Sequence, residues 1–349
     1  MAQAVTPSSV ERMTPRRRVV SAVMGGRVDR VPVANPTSVA TVALMDLAEA
    51  PFPDVHLDAE KMVRLAAACY EVLGFDTIMP LFSTMAESAA LGADVDWAEK
   101  DNWPAARDPV LFDPRDFRMP SDFLERPSMR TALDAIRTLR KLYPDACIVG
   151  KTFGPWTIAY QLVGVEQFLI DVILDPGKVR AYLEVLVEPG IVSARAQVEA
   201  GADVILWGDH STGDLVRAET YRDFLLPIHR EVTRVLNCPL IYHCCGFTMD
   251  RMEYIVEAGW DCFHFDSRND ARQAKALVGR RMSLVGNINN PSTLLFGTPE
   301  DVRRETLYAL EAGVDLVGPE CAVPLVTPIE NLQAIAETVR EWSATRERQ

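Results

Sequence analysis

Leu240-Ile241-Tyr242-His243-Cys244-Cys245-Gly246 is an apolar run that ends abruptly in one imidazole and two thiols. If the run is a β-strand, successive side chains alternate faces, so His243 and Cys245 share one face and Cys244 points to the other. A second apolar run, Val314 to Val317, leads into Gly318-Pro319-Glu320-Cys321. His243, Cys245 and Cys321 would then offer one nitrogen and two sulfurs to a single point. Three such ligands with the fourth position open is the catalytic form of a zinc site. The same residues also read as ordinary buried cysteines beside a hydrogen-bonded histidine.

Working outward from this run, apolar stretches of strand length recur along the chain. They fall at Val31 to Asn35, Asp76 to Leu81, Cys147 to Phe153, Ala202 to Trp207, Pro239 to Cys244, Cys262 to Phe265, Ser283 to Ile288 and Asp315 to Val317, with helix-like segments between most of them. Strands alternating with helices imply parallel βαβ units, and eight such units predict an α/β fold of the (β/α)8 TIM-barrel type. Leu91 to Pro127 lacks periodicity and is rich in Asp, Pro and Trp, so it is expected to form a hairpin or loop excursion. No linker or internal repeat divides the chain, and one domain spanning 14–349 follows a flexible N-terminal arm at 1–13. Thr14-Pro15 reads as an N-cap and first helical residue, and Gly25-Gly26 as the stop. The run Arg16-Arg17-Arg18 reads as a solvated helix face.

Composition excludes several functions. Lys and Arg number 36 against 49 Asp and Glu, a net charge of −13, which disfavours a nucleic-acid partner. No stretch is long and apolar enough for a membrane span and the first residues lack a secretory pattern, so a cytoplasmic location is expected. Seven cysteines show no disulfide framework and are expected to be reduced.

In a barrel the catalytic face lies at the carboxyl ends of the strands, where His243, Cys245 and Cys321 all fall. Other strand ends there are polar: Asp209 after the fourth run, Asp266 after the sixth, Asn287 at the seventh and Glu320 at the eighth. Each can equally be a helix cap or a loop-fixing group. Asp209 and Asp266 are the candidates to fill an open ligand position or to orient a ligand imidazole, and Asn287 and Glu320 are candidate substrate contacts. His210, His229 and His264 read as structural.

From Gly208 to the C-terminus, and more faintly from Met13 to Pro32, the chain resembles the uroporphyrinogen decarboxylase superfamily, and within it the methylcobamide:coenzyme M methyltransferases and their bacterial relatives. The resemblance rests on Thr14-Pro15-Arg16-Arg17-Arg18 with Asp29-Arg30-Val31-Pro32, on His243-x-Cys245-Gly246, and on Leu284-Val285-Gly286-Asn287. It continues in Gly297-Thr298-Pro299-Glu300-Asp301-Val302 and in Pro319-x-Cys321 followed by Thr327-Pro328-x-Glu330-Asn331-Leu332. It implies a TIM barrel with zinc on His243, Cys245 and Cys321, and a methyl group arriving on the corrinoid of a separate protein. The arginine segment that would serve porphyrinogen carboxylates has no counterpart after Pro32, where Val33-Ala34-Asn35-Pro36 stands. Glu320 departs from the small residue usual before the last cysteine and places a negative charge where a sulfonated thiol would dock.

The implied ligand set suits thiol alkylation. Two thiolates and a neutral imidazole cancel the charge of zinc, so an acceptor thiol held as thiolate stays nucleophilic toward a methyl group on cobalt. A corrinoid-binding signature, Asp-x-His-x-x-Gly, is absent from this chain, so the corrinoid is expected on a partner docking over the barrel mouth. The expected function is methyl transfer from a methylated corrinoid protein to a thiol such as coenzyme M. Tetrahydrofolate is the alternative acceptor, and a uroporphyrinogen-type decarboxylase the third reading.

Overall fold

A computed structural model describes residues 13–110 and 112–346. Seven parallel strands form one sheet in the order β1 (Thr77–Ile78), β4 (Cys147–Phe153), β5 (Val204–Gly208), β6 (Leu240–Cys244), β7 (Cys262–Phe265), β8 (Ser283–Ile288) and β9 (Leu316–Pro319). Two further strands, β2 (Val95–Asp96) and β3 (Ala105–Ala106), pair antiparallel inside the expected excursion. Residues of β4, β5, β6 and β7 are buried throughout, as expected where helices cover one face of a parallel sheet and side chains fill the other.

The first expected strand is present only as the bridge between Val33 and Val317. Around it, Ala34 N–H donates to Val317 O at 2.9 Å, Val317 N–H to Pro32 O at 3.0 Å, and Asp76 N–H to Val33 O at 2.8 Å. The segment therefore stands between β9 and the start of β1. It makes no longer ladder because Pro32 has no N–H and Val33 gives its own to the Asp76 carboxylate at 2.8 Å. Gly318 admits this close approach, since a Cβ there would lie 1.9 Å from Ala34 O.

The helix Pro15–Val23 begins as expected, with Thr14 capping Arg17 N. Its arginines do not form one solvated face. Arg16 reaches Asp203 at 2.7 Å and Arg17 is exposed, but Arg18 is fully buried between Asp29 at 2.7 Å and Asp76 at 2.8 Å. Arg30 meets the other Asp76 oxygen at 2.7 Å. Charge satisfied on both sides explains how a guanidinium sits in the interior. Residues 1–12 of the expected arm lie outside the described residues, and its last residue, Met13, donates its N–H to Asp29 at 2.9 Å.

Among the described residues no single helix is long and apolar enough to cross a membrane. All seven cysteines are free thiols.

Candidate metal centre

Pairing across the sheet places Phe153, Gly208, His243 and His264 in one register row, and the polar strand ends continue from it. His243 and Cys245 project from the end of β6 to the same side. His243 Nε2 lies 3.0 Å from Cys245 Sγ and 3.4 Å from Cys321 Sγ, and the two sulfurs are 2.9 Å apart. These three are the group of potential metal ligands found among the described residues. Cys244 is buried on the opposite side, where its thiol meets the Cys245 carbonyl at 3.6 Å and neighbours Ser211 and Tyr242.

The protonation pattern fits a metal ligand set. His243 Nδ1 faces the His264 carbonyl at 3.2 Å. A carbonyl only accepts, so Nδ1 carries the hydrogen and Nε2 turns its lone pair toward the sulfurs. His264 in turn donates Nε2–H to Pro319 O at 2.9 Å, which ties β7 to the strand end that bears Cys321. The thiol of Cys321 is held well below its ordinary pKa, first by the hydrogen bond with Cys245 and then by His243. That same bond, with burial, pushes Cys245 well above the ordinary value. One proton shared by two sulfurs is the state expected of a pair poised to give it up to a cation.

Surrounding residues hold the trio in place. Asn35 Nδ2 donates to Cys321 O at 3.1 Å, and Gly246 N–H, directly after Cys245, donates to Asp266 at 2.8 Å. Gly246 has φ 79°, and a Cβ there would lie 2.4 Å from Thr212 Oγ1, so the turn that presents Cys245 requires glycine. Asp266 thus acts on the loop that carries Cys245. Asp209 does orient an imidazole, but that of His229, at 3.0 Å, while its other oxygen accepts from Thr157 N at 2.8 Å. Its side chain is fully buried with both oxygens engaged by these partners. Asn287 donates to Asn269 O at 3.0 Å. The Glu320 carboxylate accepts from Asn290 N at 2.7 Å and Ser267 N at 2.8 Å, so it ties two loops together. Burial pushes its pKa up to about 7.

Reading the strand ends for ligands passes over His210, Lys151 and the carbonyl of His264. His210 lies within electrostatic reach of His243 and Cys321. Lys151 was legible as the one charged residue in the apolar run Cys147 to Phe153. A backbone carbonyl leaves no mark in a sequence.

The uroporphyrinogen decarboxylase (URO-D) family model matches residues 14–342. The chain belongs to the uroporphyrinogen decarboxylase family. Within it, the chain is 36% identical over 339 residues to a methylated-thiol:coenzyme M methyltransferase of Methanosarcina mazei, covering 97% of this chain and 92% of that one. It is 31% identical to a methylcobamide:CoM methyltransferase of Methanosarcina barkeri, covering 96% and 100%. A solved methyltransferase structure from Methanosarcina mazei superposes with a TM-score of 0.92 at 31% identity, over 95% of this chain and 99% of that one. A uroporphyrinogen decarboxylase of Coxiella burnetii is 28% identical over 363 residues.

Proposed function

We propose that this chain is a zinc-dependent methyltransferase that moves a methyl group from a methylated corrinoid protein to a small thiol, coenzyme M or an analogue. The observation that carries the reading is the convergence of His243 Nε2, Cys245 Sγ and Cys321 Sγ beyond the carboxyl ends of β6 and β9. The family members named for coenzyme M support the acceptor class. The frame is read as a (β/α)8 barrel whose first unit is the segment around Val33.

Zinc bound by His243, Cys245 and Cys321 would supply Lewis acidity that keeps an acceptor sulfur deprotonated at neutral pH. The protein's own residues do the rest. His264 O fixes the imidazole tautomer, and Asp266 and Asn35 hold the backbone on either side of the two sulfurs. In the transfer the acceptor sulfur forms the new S–C bond, the C–Co bond breaks with its pair left on cobalt, and the thiol proton leaves to solvent. None of these steps needs a general base from the chain.

The test offers free methylcobalamin and the metal-replete protein coenzyme M, homocysteine or tetrahydrofolate in turn, following cobalt reduction by absorbance. Demethylation with a thiol is expected. Transfer to tetrahydrofolate with none to any thiol would overturn the acceptor, and decarboxylation of a porphyrinogen without methyl transfer would overturn the reading entirely.

A further inference from the structure

We propose that Lys151 is the anchor for the anionic end of the acceptor, a sulfonate or carboxylate, on the strand face one row below His243; this inference rests on the thiol-methylation reading.

Register places Lys151 there. On β4, Thr152 turns outward, its hydroxyl donating to Glu87 at 2.8 Å. Lys151 and Phe153 therefore face the other way. Phe153 shares a row with Gly208 and His243, and a Cβ on Gly208 would meet the Phe153 ring at 2.7 Å. Lys151 lies one step lower on that face, in the row of Leu206 and Ile241. Two residues along a strand span about 7 Å. A short thiol whose sulfur meets the trio can thus present its far end to the ammonium, which lies within electrostatic reach of Cys321.

The ammonium lacks what a buried cation ordinarily has. Lys151 is 3% exposed. Among the described residues its Nζ has one hydrogen-bond partner, Phe82 O at 3.4 Å, and no carboxylate at ion-pair distance. The ring of Phe153 lies 5.7 Å away. Glu87 contributes attraction from the opposite side of β4, where the hydroxyls of Thr152 and Ser193 hold its carboxylate at 2.8 Å. Burial lowers the Lys151 pKa to about 7, the mark of a charge without a close counterion. An entering anion supplies one, and a lysine point charge accepts sulfonate and carboxylate alike.

Calorimetry with ethanesulfonate, which carries the anion but no thiol, reads the site without turnover. Lys151→Met keeps the length of the side chain and removes the charge, and Lys151→Gln is a second variant that keeps polarity. Both should lose affinity for ethanesulfonate by about tenfold or more. In methyl transfer from methylcobalamin, kcat/KM for coenzyme M should fall by at least about tenfold while that for neutral mercaptoethanol stays within about twofold. Zinc content and thermal midpoint, measured on each variant, confirm that the site is intact. Undetectable binding of ethanesulfonate by the unsubstituted protein, equal affinity in the variants, or parallel losses for both thiols would overturn the assignment. Lys151-dependent ethanesulfonate binding with no methyl transfer to any thiol would leave the anion site standing and remove the functional reading above it.

Discussion

The sulfurs of Cys245 and Cys321 lie 2.9 Å apart, close enough to share a proton and well beyond the length of a disulfide. Metal should take that proton's place. About one zinc per chain is expected. Cys245→Ala and Cys321→Ala should abolish it, and Cys244→Ala should leave it unchanged, since only Cys244 faces away from His243. Metal analysis of the three purified variants decides the point, and equal losses from Cys244→Ala and Cys245→Ala would refute the strand register.

The two aspartates at strand ends should separate cleanly. Asp266→Ala frees Gly246 and should weaken zinc affinity by about 10- to 100-fold, the usual effect of losing a group that positions a ligand. Asp209→Asn should leave zinc affinity unchanged. It should instead lower stability by about 1–3 kcal/mol, because His229 and Thr157 N lose a buried charged partner. Chelator competition and denaturant unfolding read the two effects independently.

His56 predicts a pH effect. Its ring is buried between Phe52 and Trp97, and neither nitrogen has a hydrogen-bond partner. Burial, and behind it the charge of Lys151, pushes its pKa down to about 3. The unfolded chain takes up this proton near pH 6.5. Between the two values the unfolded state binds more protons, so this residue's contribution to stability falls as pH drops from about 6.5 toward 3. His56→Phe should remove that part of the slope and raise stability at pH 7 by about 1 kcal/mol. Urea melts across the acid range test it, and an unchanged slope would count against the burial of an uncharged ring.

Arg18 should be a stability residue with no part in the chemistry. Arg18→Met leaves Asp29 and Asp76 without their shared buried partner and should cost about 3–5 kcal/mol. Zinc bound per folded chain should not change. A loss of metal with little loss of stability would reverse this assignment.

The alternation of apolar runs was enough to read the parallel sheet, because fully covered strands are apolar throughout and their spacing is a local property. Strand polarity then puts His243, Cys245 and Cys321 on one end of the sheet. What the sequence left open was direction. Asp209 and Asp266 occupy equivalent strand ends, yet one carboxylate turns back to His229 and the other reaches forward to Gly246. Which way each turns depends on donors far away in the chain. Arg18 misled for a related reason. A run of three arginines looks solvated until Asp29 and Asp76 arrive from other elements. The first strand shortened because Pro32 and the Asp76 carboxylate removed the hydrogen bonds that a ladder needs.

The bridge from Val33 to Val317, together with the hold of Asn35 on Cys321, carries a consequence for biosynthesis. A growing chain exposes His243 and Cys245 76 residues before Cys321 follows. A nascent protein therefore presents only two of these three side chains, and the earliest sheet-forming segment waits for the last strand to be made. On the zinc reading proposed above, metal loading and closure of the first segment onto the last would be late, coupled events, and a ribosome-bound fragment ending before Leu316 would leave both the three-residue cluster and the Val33 edge unfinished.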